Sequence, residues 1–153
     1  MSILKKTISL AMFVSLVSLT TLPSNGYCED WVYGGRNKYC TLYYNSSSVK
    51  IDKQNKIIKV WVKFVYTEKG RIMRLEGLDT IEKQKLIDFK YDLFLFLLNY
   101  KQWKYTITHI TIYSKSGEVL RDGEGPTKWT DIIPDTLEQN LFNQILQDYN
   151  IKR

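Results

Sequence analysis

The strict alternation of side chains over residues 56–67 is the feature that most restricts the fold of this 153-residue chain. One alternate set is apolar or aromatic, and it consists of Ile58, Val60, Val62, Phe64 and Tyr66. The other set consists of Lys59, Trp61 and Lys63. Successive side chains of a strand point to opposite faces of a sheet, so this pattern predicts a half-buried strand, which is typical of antiparallel sheets.

Four further segments of the N-terminal half have recognisable local signals. Residues 31–33 and 39–44 are rich in aromatic and β-branched side chains, which favour strands. Residues 34–37 (Gly-Gly-Arg-Asn) lie between them and predict a turn, because glycine and asparagine tolerate positive φ. Residues 68–71 (Glu-Lys-Gly-Arg) predict a second turn after the alternating strand.

The C-terminal half continues the strand pattern. Residues 91–100 are apolar at both sets of alternate positions, which favours a central strand covered on both faces, although a buried helix fits the same run. Residues 103–113 are rich in Thr, Ile and Tyr and predict another strand. A turn at residues 114–117 then leads into residues 118–121, which gives a hairpin.

Two segments carry helix-start signals. Asp79 is followed three residues later by Glu82, which predicts a short surface helix with Asp79 as its N-cap. Asp135 and Glu138 have the same spacing before a C-terminal helix. One face of this helix is apolar, and it consists of Leu137, Leu141 and Ile145 with Phe142, Leu146 and Tyr149. The sequence therefore predicts an α+β single domain, in which a C-terminal helix packs on an antiparallel sheet of five or six strands.

Residues 1–26 have the parts of a cleavable secretory signal peptide. Lys5 and Lys6 form a cationic start, residues 8–22 form an uncharged apolar run, and residues 23–26 supply the break that a signal peptidase recognises. We therefore expect an exported protein that is periplasmic, on the cell surface or secreted, with residues 27–153 as its one mature domain.

Two alternatives to cleavage are an uncleaved anchor and a lipoprotein. The apolar run is shorter than the roughly 20 residues that span a bilayer. Lipid attachment would fall on Cys28, but the preceding Tyr27 is bulky where lipid-modified cysteines need a small neighbour. Both alternatives are therefore less favoured than a cleaved signal.

The charge and the cysteines limit the partners and the chemistry. Removing Lys5 and Lys6 from a net charge of +6 leaves +4, which is too mildly basic to indicate a nucleic-acid partner. Cys28 and Cys40 would meet an oxidising space after export, and they form a candidate disulfide, with two unpaired thiols as the alternative. Two cysteines and one distant histidine fall short of a four-ligand metal site.

No catalytic or cofactor motif is present. The single histidine, His109, lies in a predicted strand without an acid or a cysteine near it in sequence, so a structural or surface role is favoured over that of a general base. We expect no enzymatic activity, no cofactor and no small-molecule substrate.

A candidate binding surface includes Lys59, Trp61 and Lys63, where an aromatic ring lies between two cations. Binders of single strands or polysaccharides combine stacking and charge in this way. The alternative, which the sequence favours, is that Trp61 packs under the C-terminal helix while the lysine stems reach outwards. Arg71 and Arg74 add a second cationic segment to the candidate surface.

An ordered set of landmarks over nearly the whole mature chain resembles the surface-adhesin protein E family of small exported bacterial proteins. The set consists of Trp31, YYNSSSV at 43–49, KVWVK at 59–63, the ITIY and SGEV segments of the 110–119 hairpin, Trp129, and IPDT at 133–136. The resemblance implies an antiparallel sheet crossed by a C-terminal helix and no enzymatic activity. It also implies attachment to host proteins such as plasminogen, laminin and vitronectin. A structural or assembly protein of the cell envelope is the alternative.

The chain departs from the family in one respect. Family members often carry a cysteine after the fourth long strand and another near the C-terminus, which tie the helix to the sheet. The corresponding positions here are Gln102 and Trp103 and the segment after Asn143, and none is cysteine. Burial of the stripe around Leu141 must hold the helix instead, at about 1.5–3 kcal/mol for each buried aliphatic side chain.

Overall fold

Residues 30–152 are described by the computed structural model, and eight strands of this part form one antiparallel sheet. The strands are β1 (Trp31–Arg36), β2 (Cys40–Asn45), β3 (Lys50–Asp52), β4 (Ile57–Tyr66), β5 (Phe89–Asn99), β6 (Lys104–Ser114), β7 (Val119–Glu124) and β8 (Thr130–Asp131). The helices are α1 (Glu68–Glu76), α2 (Thr80–Lys85) and α3 (Leu137–Asp148).

The main strand order is β1-β2-β4-β5-β6-β7, while the short strands β3 and β8 pair with β4 and β6. The predicted α+β class is confirmed. The sheet has more strands than the five or six predicted, because β3 and β8 each add two or three residues to a longer neighbour.

The centre of the sheet is the pair β4 and β5. Ile58, Val60 and Val62 have no exposed surface, which confirms the half-buried strand predicted from the alternation. Val60 lies opposite Phe96, and the side chains of this face form the main core. Residues of β5 alternate between buried and half-buried, so the predicted strand is confirmed but only one of its faces is fully covered.

Helix α3 packs on the core face through the predicted apolar stripe. Leu141, Phe142 and Ile145 have no exposed surface. The Phe142 ring lies 5.6 Å from the Phe96 ring in an edge-on arrangement and 5.8 Å from the ring of Tyr105. The predicted docking of the C-terminal helix on the sheet is therefore confirmed.

The N-cap of α3 is Thr136, so the prediction of Asp135 is wrong by one residue. The Thr136 hydroxyl accepts a hydrogen bond from the Gln139 N–H at 3.3 Å. Gln139 in turn accepts from the Asp135 N–H at 2.8 Å through its side-chain oxygen. Asp135 has a φ of +60°, outside the extended backbone that an N-cap adopts.

The turn predicted at residues 68–71 is also wrong, because helix α1 begins there. Thr67 is its N-cap and accepts a hydrogen bond from the Gly70 N–H at 3.1 Å. Gly70 lies so close to β2 that a Cβ atom would approach the Tyr39 carbonyl oxygen to 2.0 Å. The glycine therefore serves a close helix–strand approach rather than a turn.

The turn between β1 and β2 lies later than predicted. Gly34 and Gly35 belong to β1, where the register shifts, and Asn37 instead closes the turn. The Asn37 side-chain oxygen accepts hydrogen bonds from the N–H groups of Tyr39 and Cys40 at 2.8 and 2.9 Å. A Cβ atom at Gly34 would lie 2.2 Å from a methyl carbon of Leu141, so this glycine makes room for α3.

Two further predictions are confirmed. Asp79 caps α2 by accepting a hydrogen bond from the Glu82 N–H at 2.9 Å. Strands β6 and β7 form the predicted hairpin, with Gly117 at a φ of +89° in its turn.

Candidate binding surface

The face of the sheet opposite α3, called here the open face, carries the aromatic and cationic part of the candidate surface. Register and alternation place on it Lys50, Lys59, Trp61, Lys63, Tyr91, Leu93, Leu95, Leu97, His109, Thr111 and Asp122. Among residues 30–152, the buried side chains of α3, the buried Leu86 that follows α2 and the ion pair of α1 all meet the other face. The open face is therefore covered by none of the helices that the structure describes.

Trp61 lies at the centre of the open face, opposite Leu95, and is half-buried. The adjacent residues Val60 and Phe96 point to the opposite face, where Phe96 contacts Phe142 of α3. The alternative in which Trp61 packs under the C-terminal helix is therefore wrong, because the helix covers the opposite set of alternate positions.

His109 lies beside Trp61, with the two rings 5.8 Å apart and at 84° to each other. The His109 Nε2 atom is 2.9 Å from Asp122 Oδ1, and the same oxygen accepts a hydrogen bond from Thr111 at 2.6 Å. These hydrogen bonds, from Thr111 first and then from His109, lower the pKa of Asp122. These contacts hold the His109 ring, the Asp122 carboxylate and the Thr111 hydroxyl next to Trp61.

Sequence reasoning missed this arrangement because Asp122 lies thirteen residues from His109. The hairpin of β6 and β7 brings them together, since Thr111 lies opposite Asp122 and His109 lies opposite Glu124. The predicted hairpin was the one available signal, although its register depends on a shift between Ile112 and Tyr113.

Lys63 lies at one end of the open face among aromatic rings. Its ammonium nitrogen is 4.0 Å from the ring centroid of Trp31 and 5.2 Å from that of Tyr91. Tyr91 in turn stacks on Tyr113 at 4.7 Å. Cations are attracted to the faces of aromatic rings, so the rings position Lys63.

Arg71 and Arg74 belong to α1 and lie on the other side of the sheet. Arg71 donates to Glu68 at 2.9 Å and to the Ile87 carbonyl oxygen at 2.7 Å, and its side chain is only 12% exposed. Arg74 lies 3.5 Å from a carboxylate oxygen of Asp92. The structure therefore does not bring the two arginines together with Lys59, Trp61 and Lys63, and their role in binding stays a prediction.

Asp92 is a charged group inside the core, with no exposed surface. Its Oδ2 atom accepts a hydrogen bond from the Tyr66 hydroxyl at 3.0 Å and faces Arg74, whereas Oδ1 has no hydrogen-bond partner among the described residues. Burial raises the pKa of Asp92 despite the nearby guanidinium. The cluster ties α1 to the sheet.

No group of three or more His, Cys, Asp or Glu side chains within residues 30–152 is arranged to hold a metal ion. None of the helices in that range is long and apolar enough to cross a membrane.

Comparison with protein families matches residues 31–145 to the family described as surface-adhesin protein E. The chain belongs to the surface-adhesin protein E family. The match covers the sheet and most of α3, so the resemblance seen in the sequence is confirmed. No curated protein matches the chain. Membership places the chain among adhesin-like surface proteins, which fits a role without catalysis.

In this member of the surface-adhesin protein E family, two tyrosines add hydrogen bonds that hold the C-terminal helix. The Tyr44 hydroxyl of β2 donates a hydrogen bond to Asp148 at the end of α3. Tyr149 donates to the Ser46 carbonyl oxygen at 2.7 Å. These bonds add directional contacts to the burial of Leu141.

The candidate disulfide involves Cys28, which lies outside the described residues, so the bond stays a prediction. Cys40 is 7% exposed and lies at the start of β2. Burial, with a smaller effect of Glu138, raises the pKa of the Cys40 thiol to about 11. A free thiol at this position would be poorly reactive. The predicted signal peptide also lies outside the described residues.

Proposed function

We propose that the chain is an exported, non-catalytic protein that attaches to host or envelope proteins through the open face of its sheet. Family membership supports an adhesin-like role at the cell surface. The observation that carries the choice of surface is that Trp61, Lys59 and His109 lie on a face to which no described helix adds cover.

The chemistry of the face favours binding over catalysis. His109 has an acid partner in Asp122, but the neighbouring hydroxyl of Thr111 donates to the same carboxylate oxygen instead of to the histidine. Nucleophilic catalysis needs a base that can take the proton of the attacking group. A half-buried Trp is instead typical of interaction surfaces.

The proposal is tested by measuring binding of the full-length exported protein to immobilised plasminogen, laminin and vitronectin. A basic protein of similar size and charge serves as the control. We expect binding to at least one of the three above that control. Trp61→Ala should weaken the binding, whereas Ile81→Ala, at an exposed apolar side chain of α2, should not.

Absence of binding to all three proteins would reject host attachment and favour the envelope-assembly alternative. In that case, pull-down from envelope extracts should recover a partner whose capture also depends on Trp61. Equal loss of binding in both variants would reject the open face as the surface.

A further inference from the structure

The hairpin of β3 and β4 carries an excess of positive charge. Residues 50–59 have the sequence KIDKQNKIIK, in which lysine recurs at every third position. All four lysines are exposed, and they are Lys50, Lys53, Lys56 and Lys59. Asp52 is the one acid of the segment, so the hairpin carries a net charge of +3.

Asp52 forms no ion pair with these lysines among residues 30–152. Its Oδ1 atom accepts hydrogen bonds from the N–H groups of Gln54 and Asn55 at 3.0 and 2.9 Å, and its Oδ2 atom accepts from the Asn55 amide at 2.7 Å. The carboxylate is used to close the turn. These hydrogen bonds also lower its pKa, so it stays charged and fixed in place.

Lys50 and Lys59 lie directly opposite each other in the pairing of β3 with β4. Like charges in such a cross-strand pair destabilise a sheet. Within residues 30–152, neither ammonium group has a carboxylate at ion-pair distance. A bound anion would remove this repulsion, which makes the pair a site of charge complementarity for an acidic ligand.

Trp61 continues the same face from Lys59, two residues along β4. His109 and Asp122 lie beyond it and offer polar groups beside the ring. A sugar ring presents an apolar C–H face, which suits an aromatic side chain, and hydroxyls, which suit imidazole and carboxylate partners. Four exposed lysines in one hairpin in turn suit a polymer that carries many negative charges.

We propose that the hairpin lysines and Trp61 form a binding site for an acidic, sulfated polysaccharide that lies across the open face. This ligand goes beyond the proposed attachment to proteins, because the site needs no protein partner. The lysines would contact sulfate groups, Trp61 would contact a sugar ring, and His109 with Asp122 would contact hydroxyls.

The test measures binding of the full-length exported protein to immobilised heparin, a heavily sulfated polysaccharide, and to the same polymer after desulfation. The triple variant Lys50→Gln, Lys53→Gln, Lys59→Gln removes three of the four lysine charges of the hairpin. Lys56 is kept unchanged because its backbone has a positive φ of +62° in the turn. The matched control is Lys83→Gln, Lys85→Gln, Lys90→Gln, which removes three exposed charges elsewhere.

We expect the hairpin variant to bind heparin about tenfold more weakly or worse and with a shallower dependence on salt, because fewer counterions are displaced. Trp61→Ala should weaken binding to heparin as well. The control variant should bind heparin within about threefold of the affinity of the parent protein, because dissolved salt screens exposed charges that lie far from the binding site. Unchanged melting temperatures establish that both triple variants are folded.

Three results would overturn the proposal. They are no binding to heparin, equal weakening in the two triple variants, and binding to duplex DNA or desulfated polymer as tight as binding to heparin. Binding to plasminogen, laminin or vitronectin without binding to heparin would reject the polysaccharide site and leave the proposed attachment to proteins intact.

Discussion

Asp92 shows at the scale of one residue how burial sets a pH dependence. Burial raises the pKa of Asp92 in the folded protein above the value of about 3.9 for an unfolded chain. The folded protein therefore binds this proton more tightly than the unfolded chain does. Its contribution to stability is present below the unfolded value and is lost as the pH rises through the raised pKa.

We accordingly expect Asp92→Asn to remove the loss of stability that accompanies the rise in pH. The free energy of unfolding of the parent protein, relative to that of the variant, should fall as the pH rises above about 4. Denaturant unfolding at a series of pH values measures it. Asp88→Asn, at a side chain that is 54% exposed, is the matched control. A constant difference between parent and Asp92→Asn across the series would contradict the assignment.

The predicted disulfide between Cys28 and Cys40 has to be tested in unfolded protein. Burial and a pKa raised to about 11 protect the thiol from alkylation whether or not it is paired. We expect that exported protein dissolved in denaturant without reductant takes up no alkylating agent, because Cys28 and Cys40 are bonded. Mass measurement counts the labels. Two labels in denaturant would reject the bond, and two labels after reduction establish that both thiols are then reachable.

Helix α3 shows at the scale of an element how burial and a hydrogen bond dock a helix on a sheet. Leu141 is fully buried against β1, and the Tyr44 hydrogen bond to Asp148 fixes the end of the helix. Leu141→Asp would place an unpaired charge in this interface and should cost about 3–5 kcal/mol of unfolding free energy. Chemical unfolding measures the loss. Asn143→Asp, exposed on the same helix, should change stability by less than about 0.5 kcal/mol, and comparable losses in the two variants would contradict docking.

The elements that sequence could predict are those decided by local pattern. The alternation of β4 and the stripe of α3 each follow from side-chain period alone. Helix α1 could not be predicted, because Gly70 reads as a turn residue until its approach to Tyr39 is known. The Thr136 cap was missed by one residue, since Thr136 and Asp135 both have suitable side chains and backbone φ decides between them.

The candidate surface follows the same division. Lys59, Trp61 and Lys63 share a face because of strand period, which the sequence contains. The contact of His109 with Asp122 depends on the register of β6 and β7. The position of Arg74 on the opposite side of the sheet depends on the docking of α1. Both bring together residues that are far apart in the chain. Contacts between residues far apart in the chain could therefore not be predicted from the sequence.

At the scale of the whole molecule, the positive charge is expected to steer partners towards the open face. Arg71 and Arg74 are unsuitable for testing this, because each already has partners that hold α1 in place. The exposed lysines of the β3–β4 hairpin are suitable, since their replacement leaves the core intact. Exposed charges speed the encounter of two molecules more than they hold the complex together.

We therefore expect association with an acidic protein partner to slow as salt rises from about 0.05 to about 0.5 M, where the screening length falls to a few ångströms. The variant with Lys50, Lys53 and Lys59 changed to Gln should associate more slowly at low salt, with little change in dissociation. Separate association and dissociation phases on immobilised partner measure both rates. The variant with Lys83, Lys85 and Lys90 changed to Gln has the same net charge, so it shows how much of the effect comes from total charge. Steering by the open face predicts that the two variants differ at low salt and converge at high salt, whereas equal slowing in both would assign the effect to net charge alone.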